Sequence, residues 1–264
     1  MRIAVLGANG TVGKFLTDSL SLKFNVTPVT RQVVDLSNHT DTTNYFNTHP
    51  FDVVINAAAN SDSRMDADVS VAKDNFCTFT NVYASRNAFG RVIHFGSGAE
   101  FDRSRPLNNV VEDELFSCNP LDTYGMSKNA CSRIAYVTDN WYILRLFGVF
   151  YPTEAKRRLL PKIISNTPMV LEDKYFDYLF LEDLLPVVEY YINEDPNYKD
   201  INVTYPEKML LSEFVKRFCN IHKLTGDNIT FGDYSELAYT GNSDRLQSLN
   251  LPRLGTDIGL ERYK

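Results

Sequence analysis

The sequence predicts an α/β fold: a doubly wound parallel sheet followed by a smaller, mixed C-terminal lobe. Three observations carry that prediction. Short apolar runs at 2–6, 52–56 and 91–95 carry charge only at their ends, as strands buried on both faces must. Longer segments of helical apolar spacing separate them, and strand–helix alternation calls for crossover connections and parallel pairing. A glycine-rich turn stands between the first apolar run and the first helical segment.

The elements follow in order. Residues 2–6 read as a strand. Val12, Phe15, Leu16 and Leu20 give 11–22 one apolar helical face. Residues 25–30 form a second strand, and Asp41 is placed to cap a short helix over 41–48. A strand at 52–56, a long helix at 71–88, a strand at 91–95, a helix at 124–136 and a strand at 141–147 complete the series. Beyond residue 150 the rhythm changes. A basic cluster, Lys156-Arg157-Arg158, precedes an apolar stretch. Residues 176–180 read as a strand and 182–192 as a helix. Ser212 is expected to cap an amphipathic helix over 212–222 with Phe214, Val215 and Phe218 on one face. The expected division is a nucleotide-binding sheet domain over 1–150 and 176–203, with 151–175 and 204–264 as a substrate lobe.

Composition narrows the function. The 264 residues are 44% hydrophobic and 23% charged, which supports a folded core. A net charge of −6 argues against nucleic acid or an anionic membrane surface as partner. No run approaches the roughly 18 apolar residues of a membrane span, and the apolar run at 3–6 is too short for a secretory signal. The four cysteines lack metal-ligand spacing, so reduced thiols, no metal site and a cytoplasmic location are expected.

The turn reads Gly7-Ala8-Asn9-Gly10-Thr11-Val12-Gly13. After a strand and before a helix, such a turn is a phosphate cradle of the Rossmann type. The first glycine allows the tight turn, the second lets backbone approach a pyrophosphate, and the third lets helix and strand pack closely. The helix N-terminus supplies free N–H groups and a favourable dipole. The second strand ends Val29-Thr30-Arg31-Gln32 without an acid. Arg31 is therefore the candidate for a ribose 2′-phosphate, which favours NADP(H) and leaves NAD(H) possible. Asp35 and Leu36 are expected beside the adenine.

Tyr124 and Lys128 are four residues apart on one predicted helix face. A tyrosine needs a nearby cation to work as an acid–base group near neutrality. Ser97 follows an apolar strand, at the end where open α/β sheets bind ligands. Together they supply a hydroxyl anchor, a phenol and a cation downstream of a nucleotide turn. Arg157, Arg158 and Lys162 are candidates to grip a pyrophosphate. Asp177 and Arg245 are candidates for polar substrate contacts or for joining the lobes. His94 reads as a satisfied core histidine, and the aromatic run Tyr175, Phe176, Tyr178 and Phe180 reads as core.

The assembled motifs resemble the extended short-chain dehydrogenase/reductase superfamily along essentially the whole chain. Asn56-Ala57-Ala58-Ala59 resembles its NAAA segment, and Asn75 stands where the family has a helical asparagine. Residues 145–152 resemble RPxNVYGP, 176–183 resemble RDFIYVDD, and Ile201-Asn202-Val203 resembles YNVG. Members mostly act on nucleotide-activated sugars. The resemblance implies a catalytic set of Ser97, Tyr124 and Lys128. It implies cofactor contacts from Gly7, Asn9, Gly10, Thr11, Val12, Gly13, Ala57, Ala58, Ala59, Asn75, Phe147, Tyr124 and Lys128. Substrate contacts are expected from Ser97, Gly98, Ala99 and Gly148 besides the charged residues above.

Departures point to a subfamily. The 4,6-dehydratases carry an Asp-Glu pair where this chain has Gly98 and Ala99. Enzymes of the fucose-synthase type add a Cys and a His, and the matching positions here are Ala99 and Arg158. The short connection from Arg31 to Asp35 resembles the 4-keto-sugar reductases. The leading expectation is an NADPH-dependent reductase of a nucleotide-linked 4-keto(-6-deoxy) sugar, with Tyr124 as general acid. The alternatives are an NAD-dependent nucleotide-sugar 4-epimerase and a non-enzymatic cofactor-binding subunit. The helices at 71–88 and 124–136 match those that pair subunits in the superfamily, so a homodimer is expected.

Overall fold

A computed structural model of the chain describes residues 1–60 and 68–263. In chain order its elements are β1 (Arg2–Leu6), α1 (Thr11–Leu20), β2 (Asn25–Val29), α2 (His39–Thr48), β3 (Phe51–Asn56), α3 (Val69–Ala84), β4 (Phe89–Ser97) and β5 (Leu107–Val110). Then come α4 (Thr123–Tyr136), β6 (Trp141–Leu146), β7 (Gly148–Phe150), α5 (Leu159–Ile164), β8 (Met169–Asp173), β9 (Tyr178–Phe180), α6 (Leu184–Asn193) and β10 (Asp200–Val203). The chain closes with α7 (Leu211–His222), β11 (Ile229–Tyr234), β12 (Tyr239–Gly241), α8 (Asp244–Ser248) and α9 (Thr256–Arg262).

Six strands form one all-parallel sheet in the order β10-β6-β4-β3-β1-β2. Alternate side chains of β1 leave by opposite faces. Ile3 and Val5 join Leu16, Leu20, Ile55, Val187 and Tyr191 on the face of α1 and α6. Ala4 and Leu6 join Phe46, Val54, Phe79 and Val82 on the face of α2 and α3. Burial on both faces explains why the strands read as unbroken apolar runs. Each fully buried Ile, Val or Leu contributes about 1.5–3 kcal/mol. The chain goes from β1 to β2 on one side and to β3 on the other, so order reverses beside β1. Ligands bind at the C-terminal ends of strands at such a switch point. No helix among the described residues is long and apolar enough to cross a membrane.

The C-terminal elements pack around Phe150, Phe180, Phe214, Phe218, Leu260 and Tyr263. Three short parallel pairs organise this part of the chain: β8 with β11 inside it, β7 with β9, and β12 with β5, which reaches back to the segment after β4.

Several local expectations are corrected. Asn38 rather than Asp41 caps α2, by accepting from Asp41 N at 3.2 Å. Ser212 does not cap α7, which starts at Leu211; its N–H and hydroxyl instead donate to the Asp173 carboxylate at 3.0 and 2.7 Å. The long helix stops at Ala84 and a 3₁₀ turn over Arg86–Ala88 follows. Phe176 lies before β9, and α6 begins at Leu184 after a 3₁₀ turn.

Candidate active site

A cavity of about 720 Å³ opens at the C-terminal ends of β1, β3, β4 and β6. That volume lies in the range of small-molecule sites. Its walls bring together Gly10, Thr11, Val12 and Gly13, then Ala57, Ala58 and Ala59, then Ser97, Tyr124 and Lys128. Phe147, Gly148, Arg157 and Arg158 continue the same wall.

The glycine turn is dictated by close approach. Gly7 has φ +72°, and a Cβ there would sit 2.8 Å from Ala57 O. A Cβ on Gly13 would lie 2.2 Å from Gly7 O. The turn thus presses onto the Ala57-Ala58 segment and folds back on itself, where only glycine fits. Thr11, Val12 and Gly13 form the first turn of α1, whose N–H groups have no intrahelical acceptor. Gly7 N and Ala8 N donate to Val29 O at 3.1 and 3.4 Å, holding the turn beside the end of β2. Arg31 is exposed just beyond that end.

The candidate catalytic groups are held by buried bonds. Asp122 caps α4, accepting from Gly125 N at 2.8 Å, and also pairs with Arg103 at 2.7 Å. This fixes where the helix begins and therefore where half-buried Tyr124 emerges. Lys128 Nζ, one turn on and buried, donates to Phe95 O at 2.6 Å. Ser97 ends β4, and its Oγ accepts from Ala99 N at 3.2 Å.

Other expected site residues have different duties. Ala99 is buried at 1% exposure and Gly98 lies under the Phe147 ring, so neither faces the cavity. Asp177 is buried against Lys208 at 2.9 Å and takes Gly241 N at 2.8 Å. Arg245 pairs with Asp200 at 2.6 Å and with Asp113, joining α8 to β10. Lys162 lies in α5 outside the cavity wall. Arg158 reaches the wall, but it donates to Val149 O at 2.6 Å and to Glu154 at 3.2 Å. Asn75 is buried, accepting from Asn60 N at 2.7 Å and donating to Ser127 Oγ at 3.1 Å. Leu36 belongs to the core on the α3 side. Asp35 accepts from Ser37 N and Oγ, which holds its carboxyl below the usual range.

The cavity also holds residues that sequence reading missed. Arg103, Ser104, Glu154, Glu172, Lys174, Phe176, Tyr178 and Tyr239 line it. Phe176 and Tyr178 are therefore cavity wall as well as packing, with ring centres 4.7 Å apart. Tyr239 packs on Phe147 and Phe176 at 5.2 and 5.1 Å. Burial pushes the Tyr178 phenol up to about 12. His94 is buried as expected but not satisfied. Its Nδ1 meets Asn56 Nδ2 at 3.3 Å, while Nε2 has no partner among the described residues. Desolvation, then the Lys128 and Arg145 charges, hold its pKa well below the ordinary value.

The model of the NAD dependent epimerase/dehydratase family matches residues 3–204, most of the chain. The chain belongs to this family. A dTDP-4-dehydrorhamnose reductase from Burkholderia thailandensis is 29% identical over 154 residues, 57% of this chain and 51% of that protein. The match thus spans about half the length of that relative. The solved dTDP-4-dehydrorhamnose reductase of Clostridium acetobutylicum superposes with a TM-score of 0.84 at 19% identity, covering 100% of this chain and 98% of that one. A GDP-mannoheptose C4 reductase of Campylobacter jejuni with NADP bound gives 0.83 at 18% identity, covering 99% and 96%. Family membership and these superpositions agree with the doubly wound fold read from the sequence.

Proposed function

We propose that this family member is an NADPH-dependent reductase of a nucleotide-activated 4-keto sugar, 4-keto-6-deoxy sugars included. One observation carries the reading: Ser97, Tyr124 and Lys128 share a cavity with the glycine turn. The turn fits a dinucleotide, because the Cβ-free cradle at Gly7 and Gly13 leaves backbone N–H groups for a pyrophosphate. The first turn of α1, residues 57–59, Lys128 and Phe147 would hold the cofactor, with Arg31 toward a 2′-phosphate. When bound, NADPH supplies hydride to C4.

The chain's own groups do the rest. Ser97 donates its hydroxyl to the C4 oxygen and orients the carbonyl. Tyr124 delivers the proton that turns the developing alkoxide into an alcohol, and is reprotonated from solvent. Lys128 supplies the positive charge that stabilises tyrosinate between those steps. Arg157 and Lys174 serve the nucleotide end, and segments 151–175 and 204–264 form the substrate lobe. The dehydratase acid pair has no counterpart, since Gly98 and Ala99 are inert and buried. The reductase names of the similar proteins agree with this reading.

The test is a titration with NADPH and NADH followed by nicotinamide fluorescence, with any copurified cofactor identified. GDP-, dTDP-, UDP- and CDP-4-keto-6-deoxy sugars are then assayed for turnover. Preference for NADPH, lost in Arg31→Ala, together with turnover of one of these sugars, is the expected result. Tightly retained NAD would replace this reading with a 4-epimerase. Binding of neither would overturn both and leave a non-enzymatic member of the fold.

A further inference from the structure

Ser97 stands where the chain leaves β4 for a single 3₁₀ turn over Gly98–Glu100. Two reciprocal bonds close that turn. Ala99 N donates to Ser97 Oγ at 3.2 Å, and Ser97 N donates to Glu100 Oε1 at 2.8 Å. This capping box fixes both backbone and side chain of Ser97. It also engages a lone pair of Oγ with an N–H, so the Ser97 proton is directed to the cavity side, where the Tyr239 phenol is its hydrogen-bond partner. An oriented hydroxyl donor is what a carbonyl oxygen in the cavity requires.

Glu100 is fully buried, and its other partners come from other elements. Oε1 also accepts from Ser132 Oγ of α4 at 2.7 Å. Oε2 accepts from Arg145 Nε of β6 at 2.8 Å. Arg145, equally buried, donates to Asn202 at 3.0 Å and to Asp200 at 3.2 Å, both on β10. A buried ion pair of this kind is often no more stabilising than apolar residues of the same size. Stability alone therefore gives no reason for a carboxylate here. Position does: Tyr124, Lys128 and Ser132 recur every fourth residue along one stripe of α4. The Glu100–Ser132 bond joins the Ser97 turn to the helix that carries the phenol and the ammonium.

We propose that Glu100 is a positioning residue, which through Ser97 N and Ser132 Oγ sets the Ser97 hydroxyl in register with Tyr124 and Lys128. The inference rests on the reductase reading of the site. Ser132→Ala removes the link from the Glu100 carboxylate to α4, leaves the Asn129 Nδ2 bond to Glu100 O at 2.9 Å in place and spares the Glu100–Arg145 pair, so it tests side-chain position without breaking the buried charges. It is made in the wild-type and Ser97→Ala backgrounds, with Glu100→Ala beside it. Turnover, NADPH affinity by fluorescence and thermal midpoint are measured for each.

Ser132→Ala is expected to lower kcat about tenfold, as small misplacements do. NADPH affinity should stay within about twofold, and the loss of kcat should vanish when Ser97 is already alanine. Glu100→Ala should show a larger loss with the same dependence on Ser97, and if it does not fold, Ser132→Ala decides alone. Wild-type kcat in Ser132→Ala, or an equal loss in both backgrounds, would overturn the inference. A wild-type protein that turns over no 4-keto nucleotide sugar would overturn the reductase reading, and this inference with it. Wild-type turnover that Ser132→Ala leaves intact overturns the inference alone.

Discussion

The two ends of the cavity are built differently. At the candidate reactive end, every group lies in or directly beside a regular element packed on the six-stranded sheet. Ser97 closes a strand, Tyr124 and Lys128 sit in the first turns of a capped helix, and the glycine turn joins β1 to α1. Their supports are buried: Lys128 on Phe95 O, and Glu100 on Arg145. At the far end, Glu154, Arg157, Glu172 and Lys174 come from short elements or irregular chain, and Arg157 and Glu172 are exposed. The ion pairs there are partly solvated, as between Lys174 and Glu172 at 2.9 Å. Solvated pairs hold geometry weakly, whereas buried ones hold it tightly and are costly to break. Under the proposed function, the chemistry that tolerates little displacement falls on the rigid end and substrate selection on the adaptable end.

The comparison gives its sharpest result at Tyr124. Tyr124→Phe keeps the ring and removes the proton, so turnover should fall by about 10²–10⁴-fold. NADPH affinity should barely change, as checked by fluorescence titration beside steady-state kinetics. Unchanged turnover would break the assignment of chemistry to this end.

Rigidity itself is tested at Arg145. Arg145→Met leaves Glu100 buried without its guanidinium and Asp200 with Arg245 alone, and should cost about 3–5 kcal/mol in urea unfolding. Removing Lys174 at the far end should cost less than about 1 kcal/mol in the same measurement. Equal costs would erase the distinction between the two ends.

His94 provides a pH test of the buried side. In the native protein burial and the Lys128 and Arg145 charges keep it neutral, while the unfolded chain titrates near 6.5. The unfolded state therefore takes up the extra proton below pH 6.5, and stability falls as pH drops. The slope contributed is about 1.4 kcal/mol per pH unit. Unfolding at pH 7, 6 and 5 should show it in the wild type and lose it in His94→Gln.

A modest effect on binding is expected at the far end. Arg157→Ala should raise KM for the nucleotide sugar about tenfold, with kcat nearly unchanged, because uniform binding is lost without touching the chemistry. A fall in kcat instead would bring Arg157 into the reacting register and narrow the contrast.

Legibility in the sequence followed the same division. Five of the six strands of the sheet (all but β10), the glycine turn and the Tyr124/Lys128 spacing were readable because each depends on neighbours a few residues away. The reassigned residues were those whose partners are remote. Asp177 and Arg245 stood open between substrate contact and joining the lobes until Lys208 and Asp200 were seen to pair with them. Glu100 gave no signal, since its meaning depends on Ser132 and Arg145, 32 and 45 residues away. Phe176 and Tyr178 read as core because an apolar ring has the same pattern whether it faces packing or a cavity.

The sequence by itself determined the layered α/β fold and the presence of a nucleotide turn with a Ser–Tyr–Lys set downstream, because periodicity and steric freedom are local properties of a chain. Only the tertiary structure decided which charged side chains are consumed by one another and which are left to face a ligand. Pairing of buried charges is a matter of distance in space, and a chain of 264 residues offers each of them many partners until it folds.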